Sequence, residues 1–169
     1  QYTTTLVTRP EPGVRRAHDK GVHNVPIAAT EGRLAIKLDP SGELLTSFID
    51  LNNLALARCS AEDRQRLGVH TCPGADRDFT HSADVDYAEL LPSLFELQVG
   101  NFYIALAGEK DRVRVLKIIR DYMKPDQRVC SGVVARIDPR VESPEEISDR
   151  MLAAARYIRI EQWGTTEDG

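Results

Sequence analysis

The stretch GNFYIALAGEKDRVRVLKIIRDYMKPDQRVCSGVVARI, Gly100 to Ile137, carries two apolar periods in turn. GNFYIALA reads as a strand, DRVRVLKIIRDYM as a helix and RVCSGVVARI as a second strand. The same succession extends outward in both directions. Upstream, GVHTC is a short strand that precedes the helical DVDYAELLPSLFEL, with Asp84 as a candidate cap. Downstream, SPEEISDRMLAAARYI has a strong helix start, with Ser143 at the N-cap, Pro144 at the first helical position and Glu146 at the third. EQWGTTEDG then begins another strand.

Earlier still, LLTSFIDLNNLALARC predicts a helix from about Leu45 to Arg58. SAEDRQRLG predicts a second, capped by Ser60 with Asp63 three residues on. VHNVPIAA reads as a strand despite Pro26, and GVRRAHDKG as a helix end closed by Gly21. Residues 1–13 are expected to form an irregular lead-in to a single domain over 14–169.

Strands alternating with helices of this length argue for βαβ units and a parallel sheet, in either an open doubly wound form or a (β/α)8 barrel. Both gather their chemistry at the carboxyl ends of strands. No G-x-G-x-x-G or G-x-x-x-x-G-K-[ST] occurs, so the common nucleotide-binding reading loses its main support.

Composition narrows the function classes. With 41% hydrophobic and 28% charged residues and a net charge of -4, the chain is globular and has no basic stripe for nucleic acid. It contains neither a membrane-spanning run nor the apolar centre of a signal peptide, so a cytoplasmic location is expected. Three widely spaced cysteines fit a reduced compartment, and Cys59 and Cys130 read as ordinary core residues.

Cys72 differs through its neighbour His70. Residues i and i+2 of a strand face the same way, so the two side chains project together from a strand end. They read either as an imidazole and a thiolate on one zinc ion or as a buried strand end. The polar loop that follows holds Asp76, Arg77, Asp78, His81 and Asp84. His81 could face a substrate or solvent. Arg77 could grip a substrate carboxylate or pair locally with an aspartate. His18 and His23 read as structural or solvated.

The long stretch EGRLAIKLDPSGELLTSFIDLNNLALARCSAEDRQRLGVHTCPGADRDFTHSADVDYAELLPSLFELQVGNFYIALAGEKDR, followed by DQRVCSGVVARIDPRVESPEEI, resembles the C-terminal catalytic region of the cobalamin-independent methionine synthases. The resemblance implies about five of the eight strands of a (β/α)8 TIM barrel, and one zinc ion at the strand ends that activates a thiol for methylation. It further implies homocysteine as the acceptor, a 5-methyltetrahydrofolate as the methyl donor, and a place in methionine biosynthesis. The family's H-x-C ligand pair falls on His70 and Cys72. Its acidic ligand falls on Glu109, although in the best-known branch the acid sits nearer the strand, where this chain has Leu106. Read without the resemblance, Glu109 is a first-turn helix acid. The substrate contacts would come from Arg77, His81 and Asp84.

Departures from the family pattern define the alternatives. The family's last zinc ligand is a cysteine in a stretch like GTTDDCGF, whereas this chain reads GTTEDG and stops at Gly169. Ala28 and Ala135 stand where acids are expected. A part-barrel would leave open edges and an uncovered interior. One alternative is therefore a non-catalytic domain that completes its barrel with another chain as a binding or assembly partner. Another is a related zinc alkyltransferase that uses a different thiol.

Overall fold

The computed structural model describes residues 6–8, 43–71, 87–135, 138 and 140–168. Its elements run β1 (Leu6–Thr8), α1 (Glu43–Leu56), α2 (Ala61–Arg66), β2 (Leu67–Thr71), α3 (Tyr87–Leu94), β3 (Asn101–Ile104), α4 (Arg112–Tyr122), β4 (Arg128–Val134), α5 (Pro144–Ala155), a 3₁₀ turn (Ile160–Gln162) and β5 (Trp163–Glu167).

Local signals account for most of these boundaries. Ser60 caps α2 by accepting from the Asp63 N–H, and Asp111 caps α4 by accepting from the Arg114 N–H. At α5 a full capping box forms. The Glu146 N–H donates to Ser143 Oγ at 3.2 Å, and the Ser143 N–H donates to the Glu146 carboxylate at 2.8 Å, which satisfies two otherwise orphaned helix donors. The helix expected over Leu45–Arg58 begins at Glu43 and ends at Leu56.

The sheet order is β1-β2-β3-β4-β5. Strands β2 to β5 run parallel, with Val69, Phe102, Val129 and Trp163 in one row and Thr71, Ile104, Ser131 and Thr165 two residues further on. These rows share a face, which joins a core with Leu90, Leu91 and Leu94 of α3 and Val115, Leu116 and Ile119 of α4. Phe95 and Phe102 pack with ring centroids 4.8 Å apart. The opposite face carries the row His70, Tyr103, Cys130 and Gly164, each half-buried.

The expected parallel sheet is found in β2 to β5, and one edge carries an added antiparallel strand. Leu6–Thr8, within the stretch read as an irregular lead-in, pairs antiparallel with β2. Antiparallel pairing needs no crossover helix, so a three-residue segment can cover the outer edge of β2. The strand expected at VPIAA and the helix end at Gly21 lie outside the described residues, as does Asp84 as a cap. Among the described residues the architecture is mixed α/β with four parallel strands. No described helix is long and apolar enough to cross a membrane.

The amino-terminal end of the sheet is stitched by two buried glutamines. The Gln127 amide nitrogen donates to Phe95 O at 2.9 Å, and its Oε1 accepts from the Lys124 N–H at 2.9 Å. The Gln162 amide nitrogen reaches Lys124 O, Pro125 O and Gln127 O at 2.8 to 3.1 Å. Side chains thereby satisfy loop carbonyls that burial would otherwise leave unpaired.

Candidate functional site

The opposite end of the sheet gathers charge. His70 is the penultimate residue of β2 and is half-buried. Burial lowers its pKa, while the carboxylate of Asp168 acts in the opposite sense and more weakly. The imidazole is therefore neutral at pH 7, the form that a metal or an acid–base step requires.

Asp168 follows β5 and ties that strand to β3. Its Oδ1 accepts from the Leu106 and Ala107 N–H groups at 2.8 and 2.9 Å, and its Oδ2 from the Gly108 N–H at 2.9 Å. Three converging backbone donors on one carboxylate form a strong, charge-assisted clamp. The clamp needs Gly132 on the intervening β4. A Cβ there would stand 1.7 Å from Asp168 Oδ1 and 2.8 Å from the Leu106 nitrogen.

Arg112, the first residue of α4, closes the same turn from the other side, with Nη1 donating to Leu106 O at 3.1 Å. Next to it, Glu142 is deeply buried and pairs with Arg150 Nη1, and its Oε2 accepts from the Ala135 N–H at 2.9 Å. Arg150 Nη1 also donates to Val133 O at 2.7 Å. At position 135, where the family resemblance expects an acid, the chain has alanine, and Glu142 brings a carboxylate to its backbone instead.

Cys72, Arg77, His81 and Asp84 lie outside the described residues, as does Ala28. Glu109 is half-buried in the turn after β3, its N–H donating to Leu106 O at 3.3 Å. Leu106, at the position of the acid in the best-known branch, is fully buried. Among the described residues no three His, Cys, Asp or Glu side chains come together in a way that could hold a metal ion. The described residues thus supply one imidazole, and a zinc site would need Cys72 or another residue outside them. Neither of the half-buried residues Cys59 and Cys130 is in a disulfide, and Cys59 packs against the core.

Sequence reading missed Asp168, Gly132, Arg112 and the Glu142–Arg150 pair. An acid just past a strand end was the visible signal for Asp168, but its partners lie 60 to 62 residues away in sequence.

No protein-family model matches the chain, and no curated protein matches it. Among solved structures, it is similar to a B12-independent methionine synthase from Shewanella sp. W3-18-1 in complex with selenomethionine, with 14% identity and a TM-score of 0.48. That match covers 72% of this chain and 38% of the other.

Proposed function

We propose that this chain is a small-molecule methyltransferase domain of the cobalamin-independent methionine synthase kind, with its site at the carboxyl ends of β2 to β5. The observation that carries the reading is the place of His70. It stands at the end of a parallel strand, on the half-open face, with Cys72 two residues on in the H-x-C pattern. His70 and Cys72 would hold zinc, with Glu109 as the candidate third ligand. Bound zinc would keep a thiol such as homocysteine as thiolate at neutral pH, ready for a methyl group from a 5-methyltetrahydrofolate.

The chain's own residues would do the positioning. Asp168 fixes the turn after β3, Gly132 admits its carboxylate, and His70 stays neutral through burial. Arg77, His81 and Asp84 are proposed substrate contacts.

The test is metal content. Purified parent protein is expected to carry close to one zinc per chain, and a His70→Ala, Cys72→Ala double variant to carry none while keeping its far-ultraviolet circular dichroism. A folded parent without zinc would sink the metal reading.

A second reading has an observation of its own. Leu106 is buried at the position of the family's acid, and Asp168 spends both oxygens on backbone. These features suit a non-catalytic domain that binds a ligand or completes its barrel with another chain. A defined oligomer in sedimentation, with no zinc, is the outcome that this reading expects.

A further inference from the structure

We propose that the outer face of α5 is a self-association surface, on which a second copy of this chain lays its own α5 antiparallel. The inference is independent of any metal and of the strand ends.

The inward side of α5 is spoken for. Ala154, and Ile158 just beyond the helix, join the core, and Arg150 is held by Glu142 and Val133 O. Helical spacing puts Glu145, Asp149, Leu152 and Arg156 on the other side, and all of them are exposed. Leu152 stands in the middle of this stripe and is 59% exposed, with Ile160 also uncovered beyond the helix end. Among the described residues the side chains of Glu145, Asp149 and Arg156 enter no hydrogen bond or ion pair. α5 is the last described helix and β5 the edge strand, so no later helix stands beside it among the described residues.

The order of the stripe is self-complementary. Along α5 two acids come first, then an apolar residue, then a base. Glu145 and Asp149, one turn apart, repel mildly within a single helix. An antiparallel meeting with Leu152 on a two-fold axis brings the two leucines face to face. With about 1.5 Å of rise per residue, Asp149 lies about 4.5 Å to one side of that axis and Arg156 about 6 Å to the other. Each Asp149 therefore comes level with Arg156 of the other copy, and Glu145 is one turn further along the same edge. A parallel meeting would oppose acid to acid and base to base. The antiparallel one uses the same patch twice, as an isologous dimer requires.

The test is sedimentation equilibrium of the full chain over a concentration series. The parent is expected to move from one chain toward two as concentration rises. Leu152→Asp is expected to weaken association at least about tenfold, and so is each of two charge variants, Glu145→Lys with Asp149→Lys in one chain and Arg156→Glu in another. An equal mixture of the two charge variants is expected to associate to within about threefold of the parent affinity, because their stripes now carry opposite signs. None of these positions belongs to the Ser143–Glu146 capping box or to the core, and far-ultraviolet circular dichroism checks that each variant is folded. A parent that stays one chain at every concentration would overturn the proposal, as would a mixture that stays dissociated. A dimer that keeps its affinity in the folded variants would also overturn it, while leaving the barrel-completing reading standing.

Discussion

At the scale of single residues, the charged end of the sheet depends on one contact made through an absence. Asp168 reaches the turn after β3 because position 132 has no side chain. Gly132→Ala is expected to drive the carboxylate out of its cradle and to destabilise the fold by about 1–3 kcal/mol, read from urea denaturation midpoints. Asp168→Asn keeps the shape but places an amide nitrogen against a backbone donor. A loss of about 1.5–3 kcal/mol is expected, with faster exchange of the Leu106 to Gly108 amides than in the parent. Stability equal to the parent's in both variants would mean that the clamp contributes nothing. His70 shows how far single residues were legible. Its strand and its end position follow from GVHTC, yet its electrostatic neighbour Asp168 comes from nearly a hundred residues away, and no local pattern encodes that meeting.

At the scale of elements, helix α5 was the most legible part of the chain, because each signal that starts it lies within four residues. Ser143→Ala is expected to cost about 1 kcal/mol in denaturation, the usual worth of an N-cap. Glu146, the other half of the box, has a lowered pKa, first because it accepts the Ser143 N–H and then because of Arg140. The sign follows from that direction. A carboxyl depressed in the folded state stabilises it above the ordinary glutamate range and loses that contribution as pH falls through the folded value. Protection of the first-turn amides of α5 is therefore expected to hold at neutral pH and to fade in acid, below the ordinary glutamate range. Protection that is flat with pH would remove Glu146 from the cap. Strand β1 was illegible for the opposite reason. Three residues, Leu6–Thr8, carry no usable period, and their partner Leu67–Val69 is some sixty residues on.

At the scale of the whole molecule, stability is expected to follow the helix-facing side of the sheet. Leu116 is fully buried between α4 and the strands, so Leu116→Ala is expected to cost about 2–5 kcal/mol by lost transfer energy and cavity formation. Leu54 on α1 is 69% exposed, and Leu54→Ala is expected to stay within about 0.5 kcal/mol of the parent. Equal effects in a urea titration would contradict the core assignment. The alternation of strands and helices made the parallel βαβ character readable in advance, since each period is short-range. The meeting of β3, β4 and β5 around Asp168 was not, because register between distant strands is set by packing.

The two ends of the sheet are built from different kinds of bond, and this separates their response to the medium. At the amino-terminal end the Gln127 and Gln162 amides make the buried bonds, and charge enters through Arg159, which donates to Gln162 Oε1, and through the half-exposed Lys124–Glu96 pair. The opposite end is held by Asp168, Glu142, Arg150 and Arg112. Salt therefore screens the half-exposed Lys124–Glu96 pair first and the buried Glu142–Arg150 pair least, so the strand ends where a ligand would sit keep their geometry across ionic strengths while their roots carry the salt-sensitive contact.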